Sequence, residues 1–153
     1  QTSGVKVGIT RHYNIPSRWI DQGAMKALII ARVPRRILSG QIEIVLAKKI
    51  SDKTNWRKML LGQVDEVDFS FMRREMIKCI PQDLKQYALY EEEVQSFVYP
   101  VEAVPEKISS HNLDKESEFR EKLTGIKGQY LIFKNRVINM RKYSGYHIEF
   151  TFD

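Results

Sequence analysis

Hydrophobic positions in the first half of the chain switch between strand-like and helix-like spacing. A β-branched run at residues 5–10 predicts a short strand with a glycine near its end. Residues 24–33 have an apolar centre and are followed by Pro34, which predicts a second, buried strand, expected to pair antiparallel with residues 5–10. Residues 35–50 predict a long helix, whose buried stripe is Ile37, Leu38, Ile42, Val45, Leu46 and Ile50.

A brief helix is expected between the two predicted strands. Pro16 and Ser17 suit a first helical turn, because proline's fixed φ and missing N–H are tolerated there. Gly23 suits the left-handed residue that ends a helix. Arg18 lies in the first exposed turn, where its guanidinium could hold a phosphate or simply face solvent. The residues alone leave both interpretations open.

The rest of the chain changes from helical to strand-like patterns. Residues 56–61, 69–80 and 82–93 predict three further helices, the second of them ended by Pro81. Residues 94–104, cut by Pro100 and Pro105, predict a bent edge strand. Strands are predicted over residues 123–133 and 137–152, with Lys134, Asn135 and Arg136 as a hairpin turn. We therefore predict an α+β protein with a boundary near Glu93, separating residues 1–93 from a mainly antiparallel β unit at 94–153.

Composition narrows the classes of function only slightly. The net charge of +6 and the pI near 9.4 favour a polyanionic partner. No apolar run approaches the ~18–20 residues of a membrane helix. The lone Cys79 excludes an internal disulfide and fits a reducing compartment, so a cytoplasmic location is expected. The three histidines are scattered, and no zinc site can be derived from their spacing.

Glu43 is the acidic residue that the predicted long helix places most suggestively. It lies at the edge of the apolar stripe, and Ser39, Gly40 and Ala47 are one turn away. Such small neighbours would leave a concave region around the carboxylate. The alternative is a solvated helix glutamate that pairs with Lys48 or Arg36.

The segment VKVGITRHYNIPSRWIDQG, together with Glu43 and the Asn55-Trp56 pair, resembles the GIY-YIG nuclease module. The resemblance implies a small three-stranded antiparallel sheet flanked by helices. It also implies that Arg18 holds the scissile phosphate, that Glu43 binds a divalent metal ion such as Mg²⁺, and that Asn55 is the late asparagine of the module. If so, Arg18 and Glu43 point into one cleft, with their charged groups within roughly 10 Å of each other. Lys6 stands where the module has a tyrosine, so the base is unassigned, with Tyr13 and His12 as substitutes.

A closer resemblance covers nearly the whole chain. The motifs SGVKVGITR, IPSRWIDQGA, SDKTNWRKML and GIKGQYLIF with INMRKYSGY are similar to those of an uncharacterised bacterial and archaeal family that carries this module. In that family a cysteine-rich, zinc-binding segment and the first sheet strand come earlier. This resemblance implies that the chain corresponds to the C-terminal part of a longer protein, and that zinc belongs only to the upstream part.

Three functions from different classes are compatible with these patterns. The first is a metal-dependent nuclease, and the second is a nucleic-acid-binding module without catalysis. The third is a protein-interaction domain whose positive charge is incidental. In the first two, phosphates would be contacted by basic residues around the predicted cleft, namely Lys6, Arg11, Arg18, Arg35 and Arg36. The late strands also mix basic residues with tyrosines, as single-strand-binding surfaces and ordinary amphipathic sheets both do.

Overall fold

The structure, a computed structural model, describes residues 1–50, 54–104 and 107–151. The chain forms two compact units, Gln1–Val98 and Tyr99–Asp153, and thus divides a few residues beyond the boundary predicted near Glu93. Helices and two small sheets make it an α+β protein, as predicted. Pro105 and Phe152, which belong to predicted strand segments, lie outside the described residues.

Within its described residues, the first unit contains four α-helices. They are α1 (Ser17–Asp21), α2 (Arg36–Ala47), α3 (Trp56–Leu60) and α4 (Phe69–Cys79). Short 3₁₀ helices span His12–Asn14 and Gln82–Tyr87. The longest helix, α2, has 12 residues, and within the described ranges no helix has both the length and the apolar character to cross a bilayer. The helices predicted over residues 35–50, 56–61 and 69–80 are thus confirmed with shorter ends.

The helix predicted over residues 82–93 is wrong beyond Tyr87. The segment forms only the 3₁₀ helix, in which Leu84 is the single buried residue. With no apolar stripe to bury, a longer helix would gain little from packing. The backbone continues instead along the segment at residues 24–33, where Leu89 N–H donates to the Ile30 carbonyl at 2.9 Å.

Side-chain caps determine where two of the helices begin. The Asn55 side-chain oxygen accepts from the Lys58 N–H at 3.2 Å at the start of α3. The Asp68 carboxylate accepts from the N–H groups of Phe71 and Ser70 at the start of α4. These backbone hydrogen bonds, that from Phe71 above all, lower the pKa of the Asp68 carboxyl.

The predicted pairing of residues 5–10 with residues 24–33 is wrong. Within the described ranges, residues 5–10 belong to no strand. Strand β1 (Lys26–Ala27) pairs antiparallel with β2 (Gln95–Ser96), and Ala31 forms a further bridge with Ala88. The pairing partner of residues 24–33 therefore comes from more than fifty positions later in the chain, which local periodicity does not encode. The predicted edge strand at 94–104 is reduced to β2 and a bridge at Val101.

The core of the first unit lies between α2 and α4. Ile42 and Leu46 of α2 pack with Met76 and Ile77 of α4, and the cluster extends to Ile80 and Leu84. Leu38 and Ile50 of the predicted stripe pack against this cluster. Ile37 is the exception, because 68% of its surface is exposed.

The second unit is a four-stranded mixed sheet in the order β3-β6-β5-β4. Its strands are β3 (Ser109–Ser110), β4 (Leu123–Lys127), β5 (Tyr130–Phe133) and β6 (Arg136–Asn139). Only β3 and β6 are parallel. The hairpin turn predicted after Phe133 is confirmed, since β5 and β6 pair antiparallel.

Two strand predictions in the second unit need correction. The predicted strand 123–133 is a hairpin, because Gly128 adopts a φ of 59° and reverses the chain between β4 and β5. The predicted strand 137–152 ends at Asn139. The Asn139 side chain accepts from the Arg141 N–H and so caps a 3₁₀ helix, Met140–Tyr143, in place of further strand.

Candidate functional site

Two adjoining cavities lie in the first unit. The first cavity has a volume of about 160 Å³ and the second about 410 Å³. Their common lining consists of Val7, Gly8, Ile9, Thr10, Trp19, Leu28, Ile30 and Leu46. Because so many residues line both, the cavities are direct neighbours, and we call the two together the concave region.

This concave region occurs where the sequence predicted a strand pair. Within the described ranges, no backbone hydrogen bond joins residues 5–10 to residues 24–33. The latter segment bonds elsewhere: the Ile30 carbonyl accepts from Leu89, and the Arg32 N–H donates to the Tyr87 carbonyl at 3.0 Å. Residues 5–10 are therefore left lining the cavities instead of closing a sheet.

The first cavity is lined by basic side chains without a carboxylate among the described residues. The basic residues are Lys6, Arg18 and Arg73, and the aromatic rings of Trp19 and Phe69 are also part of the lining. Arg18 projects from α1 and is half-buried. Its side chain forms no ion pair or hydrogen bond with any described residue, so its guanidinium donors remain available to a ligand.

Arg73 is the basic residue of this cavity that the sequence did not indicate. Its terminal nitrogens donate to the backbone carbonyls of Tyr90 and Glu92. Its Nε is buried and has no hydrogen-bond partner, alone among the buried side-chain nitrogen and oxygen atoms of the described residues. Nothing in the local pattern distinguishes Arg73 from the adjacent Arg74, which is exposed and lines neither cavity.

The second cavity combines several arginines with one carboxylate. Its charged lining consists of Arg11, Arg32, Arg35, Arg36 and Glu43, and His12 and Ser39 also line it. Arg32 lies 3.9 Å from the Glu92 carboxylate. Arg35 and Arg36 are exposed and, among the described residues, their side chains form no ion pair.

Glu43 occupies the concave region that its small neighbours predicted. The side chain is half-buried, and Ser39, one turn earlier, lines the same cavity. The alternative of a helix ion pair is wrong for the described residues, because Glu43 forms neither an ion pair nor a hydrogen bond with any of them. Arg18 and Glu43 thus line adjoining cavities, and the predicted close approach of their charged groups stays a prediction.

Two predicted site residues lie away from this region. Tyr13 is 71% exposed, accepts a hydrogen bond from Arg11 and lines neither cavity. Asn55 is also absent from both linings, and its side chain caps α3. His12, the other substitute for the missing base, lines the second cavity. The catalytic roles of Tyr13, Asn55 and His12 remain predictions.

The two cavities offer few side chains that could coordinate a metal ion. Across the described ranges, no group of three or more His, Cys, Asp and Glu side chains could hold a metal ion. Among the described residues, Glu43 is the single carboxylate that lines either cavity. Mg²⁺ often keeps several waters and is bound by one or two carboxylates together with substrate phosphates. The lining therefore fits Mg²⁺ only if waters or a phosphate complete the coordination.

Several basic and aromatic residues of the second unit are engaged within the protein. Arg136 donates to the carboxylates of Glu116 and Glu121 at 3.0 and 2.7 Å. Lys127 is buried, and this desolvation lowers the pKa of its ammonium group. The Tyr146 hydroxyl donates to Asp114 at 2.6 Å. This pattern favours an ordinary amphipathic sheet over a single-strand-binding surface.

Comparison with known proteins identifies a family without identifying an activity. No curated protein and no solved structure matches the chain. The family described as "Protein of unknown function (DUF2797)" matches residues 1–148, which is nearly the whole chain. The chain therefore belongs to the DUF2797 family.

Proposed function

We propose that the first unit, Gln1–Val98, binds nucleic acid through the phosphate backbone at the two adjoining cavities. The observation that carries this proposal is the charge of their lining. Glu43 is the one carboxylate in the part of the lining that the structure describes, and it is outnumbered by the basic residues Lys6, Arg11, Arg18, Arg32, Arg35, Arg36 and Arg73. Phosphate groups are the natural partner of such a lining, because the guanidinium fork can donate two parallel hydrogen bonds to their oxygens.

The lack of internal partners strengthens this proposal. Arg18, Arg35 and Arg36 form no ion pair with the described residues, so binding a phosphate would not require an existing ion pair to break. The net charge of +6 acts in the same direction, since it attracts a polyanion from solution. A protein-interaction domain would have no need for this concentration of unpaired arginines around a cavity.

Metal-dependent hydrolysis of a phosphodiester is a second candidate, favoured by the unpaired carboxylate of Glu43. Glu43 would hold Mg²⁺ with waters and a phosphate oxygen, and the ion would stabilise the leaving oxygen. Arg18 would stabilise the charge that develops on the phosphate as water attacks and the P–O bond breaks. With Lys6 at the expected tyrosine position, His12 is the titratable side chain of the lining that could accept the proton from water.

The test of binding is a salt titration. Fluorescence anisotropy with single- and double-stranded DNA and RNA should detect binding at ~50 mM salt. The affinity should fall steeply towards ~200 mM salt, because each phosphate contact releases counterions. If no nucleic acid is bound at the lower salt concentration, the proposal is wrong and only the protein-interaction interpretation remains.

Cleavage is tested separately with the same nucleic acids in Mg²⁺ and in EDTA. Glu43→Gln preserves the shape of the side chain but removes its charge, so it should abolish any cleavage while retaining most of the binding. Arg18→Ala should weaken both. Binding without Mg²⁺-dependent cleavage would identify a module that holds phosphates without cutting them.

A further inference from the structure

The two cavities differ in volume, and the volume of each limits the size of the ligand that it can bind. Ligand sites commonly span ~300–1,000 Å³. The second cavity, at about 410 Å³, falls in this range, whereas the first, at about 160 Å³, is too small for a whole nucleotide. Because the cavities share their lining, a chain that occupies the second could place one small group in the first.

The charge of the first cavity indicates which small group fits. Its described lining contains Lys6, Arg18 and Arg73 and no carboxylate. An internal phosphodiester carries one negative charge, whereas a terminal phosphate carries about −1.5 to −2 at pH 7 and offers three strong acceptor oxygens. Three basic groups around a small cavity match the terminal group better than the internal one.

Arg73 adds a fixed positive charge at the wall of the first cavity. Its terminal nitrogens are held by the Tyr90 and Glu92 carbonyls, which fix the guanidinium in place. These carbonyls are neutral acceptors, so the guanidinium keeps its full charge. Because Arg73 is part of the lining, this charge acts together with those of Lys6 and Arg18 on an anion in the cavity.

We infer that the first cavity binds the terminal phosphate of a single nucleic-acid strand, with Arg18, Arg73 and Lys6 as its ligands, and that the strand continues into the second cavity. This inference rests on the proposed nucleic-acid binding and specifies its substrate class. Trp19 lines both cavities and provides a ring on which the terminal base can stack.

The test compares oligomers that differ only at their ends. Single-stranded DNA and RNA of about 10 nucleotides, within the site sizes usual for single-strand binders, are prepared with a 5′-phosphate, a 3′-phosphate or hydroxyls at both ends. At one fixed salt concentration, one phosphorylated form should bind about tenfold tighter or more than the hydroxyl form, since charge-assisted hydrogen bonds are added. The form that binds tighter identifies the end that is recognised.

Arg18→Ala tests whether the preference arises in the first cavity. The ratio of affinities for phosphorylated and hydroxyl ends should fall to about one, while binding of the hydroxyl form changes less. Arg74→Ala is the matched control, because Arg74 lies on the same helix as Arg73 but lines neither cavity. It should leave the ratio unchanged. Arg73→Lys, checked for folding by circular dichroism, should lower the ratio, because a single ammonium group cannot keep both carbonyl hydrogen bonds that fix the charge at this wall.

Each other result would overturn the inference. Equal affinity for all three ends in the wild-type protein would disprove terminal-phosphate recognition and leave nucleic-acid binding intact. A preference that survives Arg18→Ala would place the recognition outside the first cavity. If no oligomer binds at all, the inference and the proposed function both fail.

Discussion

Basic side chains are used differently in the two units. In Tyr99–Asp153 the guanidinium of Arg136 is held by Glu121 at 2.7 Å, by Glu116 at 3.0 Å and by the ring of His111 at 2.9 Å. In Gln1–Val98, Arg18 and Arg35 line cavities and form no ion pair with described residues. Arg136 therefore stabilises the second unit, whereas Arg18 and Arg35 of the first unit remain available for a ligand, a difference that charge composition alone does not reveal.

The extent of strand pairing in each unit accounts for this difference between Arg136 and the cavity arginines. The second unit joins four strands in a continuous sheet, and the loop before β4 can bring its carboxylates to Arg136 on β6. In the first unit, residues 5–10 are not paired with the neighbouring segment in the described structure. Cavities lined by basic residues occupy that position instead.

Charge reversal of one basic pair in each unit should give the largest difference. Arg35→Glu with Arg36→Glu should weaken nucleic-acid binding about a hundredfold and reduce the slope of log affinity against log salt by about two, because two phosphate contacts are lost. Arg141→Glu with Lys142→Glu, an exposed pair in the second unit, should change affinity less than about threefold. Anisotropy titrations measure both. Equal losses would mean that the first unit is not the binding surface.

Adding one methyl group should affect the two units in opposite directions. A Cβ at Gly125 would lie 2.9 Å from the backbone Cα of Val101, so Gly125→Ala should destabilise the second unit by about 2 kcal/mol. At Gly40, within α2, a Cβ would have no neighbour within 4 Å. Gly40→Ala should therefore stabilise the first unit by about 0.5–1 kcal/mol. Urea denaturation measures both changes, and a stabilising Gly125→Ala would contradict the close approach.

Removal of a half-enclosed carboxylate should destabilise the second unit without affecting binding. The Glu121 side chain is 14% exposed and holds Arg136, so Glu121→Ala should lower the free energy of unfolding by about 1.5 kcal/mol. The exposed pair Glu102–Lys122 is the control, and Glu102→Ala should cost at most about 0.5 kcal/mol. Nucleic-acid affinity should remain unchanged in both variants. A weaker affinity in Glu121→Ala would mean that the second unit participates in binding.

Asn55 should act on stability through its cap and not through the cavities. Asn55→Ala should destabilise the first unit by about 1 kcal/mol, because the Lys58 N–H loses its acceptor. Asn55→Ser, which keeps a capping oxygen, should restore most of this loss. Chemical denaturation with a parallel cleavage assay separates the two roles. If Asn55→Ser is stable yet loses a cleavage activity that the wild type has, Asn55 belongs to the chemistry after all.

Local patterns were sufficient for several elements. Pro81 and the caps Asn55 and Asp68 lie next to the observed helix ends, and the turn after Phe133 joins two antiparallel strands. The concave region around Glu43 was also predictable, since small residues one helical turn away leave space beside a side chain. These features depend on residues within a few positions of one another, where spacing and backbone preferences determine the outcome.

Only the tertiary structure decided the sheet pairing and the full composition of the site. The backbone N–H and C=O groups of residues 24–33 could form hydrogen bonds with any strand of suitable length. In the structure their partners come from residues 87–97 and not from the nearby residues 5–10. Backbone N–H and C=O groups are nearly the same in every residue, so hydrogen bonding alone does not select the partner strand. The partner depends on which pairing also buries the apolar faces of α2 and α4. The same packing brings Arg73 to the first cavity, 55 positions after Arg18, while Arg74 beside it faces solvent.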